Sequence, residues 1–308
     1  MFWMLLVFAG AEARGGRPGL RVAQGITVPD HEYPYIVAIV TKADEYLIKV
    51  YDAPSIYQSC TGTLVASAWI LTAAHCGAGD LIRYGDMSIA GDDPAATYSE
   101  IKEWFPFNTG WIYSGDIALA KVDEVPIQEF GVVSGTDYLT LLGYPVSYFG
   151  FGLPGMEIHL TKKQLKLELK RKLRKQMGEA VVVKCPSKKD VKRFGPYICL
   201  ATKCKHKRQT AVNGDSGGPL IHAGKIIGVA SYGDDRKIYA TTLYTPVSPY
   251  LDWIKTMVTP ESKNCLRQNT PLDVLIESTT TTSADSTTVE VHCKGLTIGY
   301  HYRTWECT

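Results

Sequence analysis

No apolar run in the 308-residue chain reaches the roughly 18 residues that a membrane-spanning helix needs, so a span of that kind is not expected. Charge of one sign is also missing. Lys and Arg total 33 against 31 Asp and Glu, a net of +2, which argues against a nucleic-acid binder held by bulk charge. There is no internal repeat, which argues against a solenoid or a propeller. No Asn-x-Ser/Thr acceptor occurs, and Asn108 and Asn269 both fail at the third position. His31, His159, His206, His222, His292 and His301 lack metal-ligand spacing and read as surface or structural groups.

What is present is the composition of an ordinary globular protein, 45% apolar and 21% charged, long enough to bury a sizeable core. The eight cysteines suit either a disulfide framework or metal sites. Phe2-Trp-Met-Leu-Leu-Val-Phe-Ala-Gly-Ala11 followed by Ala11-Glu-Ala13 reads as a secretory signal over residues 1–13, although no positive residue precedes the run. Secretion implies an oxidising compartment, where cysteines pair with one another.

From Tyr35 to Tyr250, short apolar runs are broken by Gly, Pro, Asp and Asn. Tyr35–Thr41, Thr61–Val65, Trp69–Thr72, Ile117–Val122, Pro219–Ile221 and Ile226–Ser231 read as strands. The expected class is all-β, a sandwich or barrel. One helix is expected near residue 250, with Ser248 as N-cap and Pro249 in the first turn. Tyr250, Trp253, Ile254, Met257 and Val258 form its apolar stripe, and Pro260 stops it. Residues 162–175 carry eight basic side chains and read as a solvated face or, alternatively, as a docking site for an anionic surface or substrate. Ser278–Thr288 is low-complexity and is expected not to pack.

Chemistry concentrates in Asn213-Gly-Asp-Ser-Gly-Gly-Pro219. A serine held between glycines allows a tight turn and lets amide N–H groups approach a substrate. Ser216 is the candidate nucleophile, and the N–H groups of Gly214 and Ser216 are the candidate oxyanion donors. A serine hydroxyl needs a base, and Leu71-Thr-Ala-Ala-His-Cys76 offers His75 just after a strand. The base needs an orienting carboxylate, and Asp116 opens the apolar strand Asp116-Ile-Ala-Leu119.

With these pieces in the order His, Asp, Ser, the chain resembles the secreted serine proteases of the chymotrypsin/trypsin family. The resemblance covers about residues 22–258. It rests on Thr72-Ala-Ala-His-Cys76, Asp116-Ile-Ala-Leu119, Gly214-Asp-Ser-Gly-Gly-Pro219, Ser231-Tyr-Gly233, Tyr244-Thr-Pro-Val247 and Trp253-Ile254. It implies two packed antiparallel β-barrels, an active site in the cleft between them and a C-terminal helix. It implies His75 as general base, Asp116 as its orienter and Ser216 as nucleophile. Ser231, Tyr232 and Gly233 would pair with substrate backbone as an added strand.

The family pattern also implies disulfides Cys60–Cys76 and Cys185–Cys199. Cys204, Cys265, Cys293 and Cys307 have three possible pairings. The bridge usual behind the specificity pocket is absent, or Cys204 has been recruited to the C-terminal extension. Activation by cleavage after Arg21 would free the Val22 amine to pair with Asp215, making residues 14–21 a propeptide. Counting back from Ser216 puts Thr210 at the pocket base, with Gly233 and Thr242 as walls. No carboxylate stands at that base, so cleavage after neutral residues is expected. Asp234 and Asp235 close by offer the alternative of a basic side chain. A calcium loop, seen in some relatives, would fall on Asp92, Asp93 and Glu100, but neither metal nor cofactor is expected. The expected partners are protein or peptide substrates, an activating protease and protein inhibitors, for a secreted monomer. The rival class is a non-catalytic homologue that binds partners, through the basic run or residues 259–308.

Overall fold

The structure is a computed structural model. It describes residues 25–43, 45, 48–49, 56–91, 93–108, 115–152, 173–185, 195–202, 211, 214–232 and 242–259, and the backbone of the strands between 280 and 302. Thr210, Gly233, Arg21, Val22 and most of the basic run lie outside the described residues, as do Cys204, Cys265 and Cys307.

The first barrel is closed by six strands. These are β2 (Ile36–Lys42), β3 (Ile56–Ala66), β4 (Trp69–Thr72), β5 (Leu81–Tyr84), β6 (Thr97–Pro106) and β7 (Ala118–Val122), in the order β2-β3-β4-β7-β6-β5. The continuous apolar run Ile36–Val40 is buried at every residue, as a strand enclosed on both faces requires. β4 is buried throughout and pairs with β7 from Trp69↔Lys121 to Thr72↔Ala118. That register brings the residue after β4 and the residue before β7 to the same end of the barrel.

The second sheet contains β1 (Ile26–Thr27), β8 (Pro145–Gly150), β9 (Gln176–Val183), β10 (Ile198–Thr202), β11 (Pro219–His222), β12 (Lys225–Tyr232) and β13 (Leu243–Pro246). The order is β1-β9-β10-β13-β12-β11-β8, and β8 also pairs with β9, so the sheet returns on itself. β9 alternates between more and less buried positions, the pattern of a strand with one face on a core. Leu220, Ile198, Ile227, Tyr148 and Tyr244 meet in that core.

A one-turn 3₁₀ segment, Ser248–Tyr250, leads into the helix α1 (Leu251–Val258). Ser248 was expected to cap that helix. Instead Val247 occupies the capping position, and the Ser248 hydroxyl accepts the Tyr138 N–H at 3.2 Å. Phe107 packs edge-on against Tyr250 and Trp253, which fixes this end of the chain to the first barrel.

The chain divides into two units, Met1–Ile254 and Lys255–Thr308. The second holds a three-stranded antiparallel sheet of β14 (Thr280–Ser283), β15 (Ser286–Cys293) and β16 (Leu296–Tyr302). The Ser/Thr-rich stretch read as unpacked therefore supplies β14 and the start of β15. Thr is polar enough to read as linker, but it is β-branched and fits an extended strand.

The last residue of the basic run departs from a solvated face. Lys175 is only 2% exposed, and its ammonium donates to the carbonyls of Asp30, Glu32 and Tyr33. Burial lowers its pKa from 10.5 to about 8, against the opposing attraction of Asp30, Glu32 and Glu129. The folded value lies below the unfolded one, so between about pH 8 and 10.5 the unfolded chain binds more protons at this residue. The Lys175 contribution to stability therefore rises with pH across that window. The stability gap between wild type and Lys175→Met, measured by urea unfolding in a Ser216→Ala background, should shift in favour of wild type on going from pH 7.5 to 9.5. An opposite shift would contradict the burial effect.

Candidate active site

His75 lies in a 3₁₀ turn, Ala74–Cys76, directly after β4. The Cys60–Cys76 disulfide ties this turn to β3 with a Cα–Cα distance of 6.1 Å. A cross-link closing a loop of this size removes roughly 3 kcal/mol of unfolded-state entropy in the chain-entropy model. Cys185–Cys199 forms the second expected disulfide.

Asp116 sits two residues before β7, at the same end, and is 2% exposed. A buried carboxylate is costly without donors. Here Oδ2 stands 2.8 Å from His75 Nδ1 and accepts the Ser231 hydroxyl at 2.6 Å, while Oδ1 accepts the His75 backbone N–H at 3.0 Å. A carboxylate accepts only, so the imidazole proton belongs on Nδ1 and Nε2 is left as the basic nitrogen. Ser231 belongs to β12, so its bond to Asp116 joins the second sheet to the first barrel. A register shift between Ala230 and Tyr232 lies at Ser231, whose side chain serves Asp116 instead.

Ser216 lies in the turn Gly214–Gly218, which is held on both sides. Thr61 N–H donates to the Ser216 carbonyl at 2.8 Å, and Gly217 N–H donates to the Ala230 carbonyl at 2.8 Å. Gly217 has φ +81°, and a Cβ there would stand 2.0 Å from Thr72 Oγ1 and 2.3 Å from the Thr61 carbonyl. The turn is thus pressed against the end of β4, beside the segment that carries His75.

Gly214 has φ +94°, and its carbonyl accepts from Gln58 Nε2 at 2.7 Å and from Thr61 Oγ1 at 2.8 Å. Asp215 is 1% exposed, and its Oδ1 accepts the Gly152 N–H at 2.7 Å. A Cβ on Gly150 would stand 2.1 Å from that same oxygen, so the end of β8 must be glycine where the carboxylate enters.

Of the expected site residues, His75, Asp116 and Ser231 are brought into one hydrogen-bonded group. Gly214, Asp215 and Ser216 form one turn, Tyr232 is exposed at the end of β12, and Thr242 is buried just before β13. Three partners went unread from the sequence. Gln58, 6% exposed, lies among the polar residues of β3, so nothing in the sequence marked it as buried. The Ser231 bond to Asp116 had no local signal. The Gly150 and Gly152 pair was visible only as two glycines. Cys60, His75 and Cys76 bring potential metal ligands within 4.8 Å of one another, but both sulfurs are committed to the disulfide. Of the acidic residues considered for calcium, Asp93 caps its own turn at Ala95 and Glu100 pairs with Lys102.

A family model described as Trypsin matches residues 22–254. The chain is similar to trypsin V-B of Rattus norvegicus, with 25% identity over 77% of this chain and 89% of that protein. It is also similar to the thrombin-like enzyme calobin-1 of Gloydius ussuriensis, 26% identical over 69% of this chain and 82% of that one. Granzyme M of Rattus norvegicus is 27% identical over 83% of this chain and 96% of its own.

Gly217 and Gly224 separate close approach from backbone strain. Both have positive φ, but a Cβ at Gly224 meets nothing within 4 Å. Gly224→Ala should cost about 1 kcal/mol, and Gly217→Ala should cost several kcal/mol more or fail to fold. Equal melting temperatures for the two variants would contradict the packing described.

Proposed function

The chain belongs to the trypsin family of serine proteases, and from that premise we propose that it is a secreted serine endopeptidase working through His75, Asp116 and Ser216. The observation that carries the reading is the buried Asp116 carboxylate, which holds His75 at Nδ1 and at its backbone N–H.

His75 Nε2 takes the Ser216 hydroxyl proton as the serine oxygen bonds to the peptide carbonyl carbon. Asp116 stabilises the imidazolium that forms. The carbonyl oxygen becomes an oxyanion and receives the N–H groups of Gly214 and Ser216, each worth about 10²–10³ in rate. The C–N bond then breaks, and His75 gives its proton to the leaving amine. Water repeats the cycle on the acyl-enzyme, with His75 again taking the proton, and releases the acid. Gln58 and Thr61 support this step by holding the Gly214 carbonyl inward. Ser231, Tyr232 and Gly233 form the edge on which substrate backbone is added.

The two disulfides suit an oxidising compartment and support secretion. Activation follows cleavage after Arg21 by another protease. The freed Val22 amine then pairs with Asp215, whose carboxylate lies against the Gly150–Gly152 loop beside the oxyanion donors. The pocket, with Thr210 at its base and Gly233 and Thr242 as walls, takes neutral side chains of small to medium size. The enzyme acts as a monomer that protein inhibitors can block.

A fluorophosphonate probe should label activated wild type at Ser216 and leave Ser216→Ala unlabelled. Asp116→Asn should react about 10⁴-fold more slowly. Absence of wild-type labelling would favour a binding homologue. On the same activated sample, a peptide library should show cleavage after neutral residues, and strict Arg or Lys preference would overturn the pocket assignment.

A further inference from the structure

The amino-terminal segment is strapped to the start of β9. β1 pairs with it at Ile26↔Met177 and Thr27↔Gln176. Val28 N–H donates to the Lys175 carbonyl at 3.0 Å, and Gln176 Nε2 donates to Thr27 Oγ1 at 2.8 Å. The Lys175 ammonium then reaches the following turn and meets the carbonyls of Asp30, Glu32 and Tyr33. Three carbonyls of one turn thus converge on a single nitrogen, each accepting one of the N–H donors that the ammonium offers. Tyr33 is non-glycine with φ +52°, a conformation that needs outside support. Lys175 supplies some of it, and the Tyr33 ring packs on Phe149 with centroids 4.6 Å apart.

The strap is joined to the oxyanion turn through β9 and β8. Ile26, Met177 and Phe149 lie in one row across β1, β9 and β8. Two strand spacings separate Ile26 from Phe149, about 10 Å. Phe149 is followed by Gly150, which abuts the Asp215 carboxylate, and its own carbonyl lies 2.2 Å from where a Cβ of Gly218 would stand. Ile26 is four positions from Val22, a reach of at most about 14 Å. Where Ile26 is held therefore decides whether the Val22 amine can reach Asp215.

We propose that Lys175 is a positioning residue for the new amino terminus, its ammonium fixing the root of the activation segment so that the Val22 amine reaches Asp215 and the Gly214 donor is set. The role rests on the activation reading given above. Lys175 touches neither substrate nor reacting atoms. It acts through the 28–33 turn, β1 and the terminal amine.

The test uses the full chain cleaved after Arg21, as wild type, Lys175→Met and Thr27→Val. Sequencing first establishes the terminus. Cyanate then competes for the terminal amine, its rate of modification is read by mass spectrometry, and kcat, KM and melting temperature are measured on the same samples. In wild type the amine should react far more slowly than that of a free peptide. Lys175→Met should raise the modification rate about tenfold and lower kcat by a similar factor with KM little changed. Thr27→Val removes one exposed acceptor of the same strap and should raise the rate about twofold.

A folded Lys175→Met with wild-type amine protection and kcat overturns the proposal, even if its melting temperature falls. If Lys175→Met does not fold, Thr27→Val decides, and a wild-type rate there overturns it. An unprotected wild-type amine, or a terminus other than Val22, overturns the activation reading itself and the Lys175 role with it.

Discussion

One buried carboxylate organises this molecule. Asp116 sits where water is excluded, and it is tolerable there because three donors converge on it. Two come from His75 and one from Ser231, so the loop after β4, the start of β7 and a strand of the second sheet must all be in register. If any one of them moved, an ionised group would be left buried and short of a partner. The barrels are therefore held to a common geometry by electrostatics as well as by apolar packing, and the same geometry aligns the imidazole.

The turn carrying Ser216 is fixed by a different kind of constraint. Its glycines are pressed so closely against Thr61, Thr72 and the Gly150 loop that no side chain fits. Backbone carbonyls do the fastening, with the Ser216 carbonyl on Thr61 and the Gly214 carbonyl on Gln58 and Thr61. Steric exclusion and hydrogen bonding thus limit the same five residues from opposite sides. Little conformational freedom remains to be lost when a substrate binds.

Much of this was legible in the residues, and the rest was hidden for identifiable reasons. Trp69–Thr72 and Ile36–Val40 read as strands because they are unbroken apolar runs, closed by a β-branched Thr in the first, and both are buried throughout. β6 did not, because Thr97–Pro106 is largely exposed and mixes polar with apolar residues without a clean period. His75 and Asp116 read as a pair because a base needs an orienting carboxylate, and the two are hydrogen-bonded in the structure. Gln58, Ser231 as a donor to Asp116 and the inward turn of Lys175 were not visible. Their roles depend on partners 156, 115 and 142–145 residues away in sequence. Lys175 was further masked by the basic side chains that precede it.

The group that latches Gly214 is an amide. Glutamine neither gains nor loses a proton in water at any pH at which the protein folds. The grip of Gln58 on the Gly214 carbonyl is therefore the same at acidic as at alkaline pH. Neither side chain that holds the Gly214 carbonyl, the Gln58 amide or the Thr61 hydroxyl, carries a charge that acid could change.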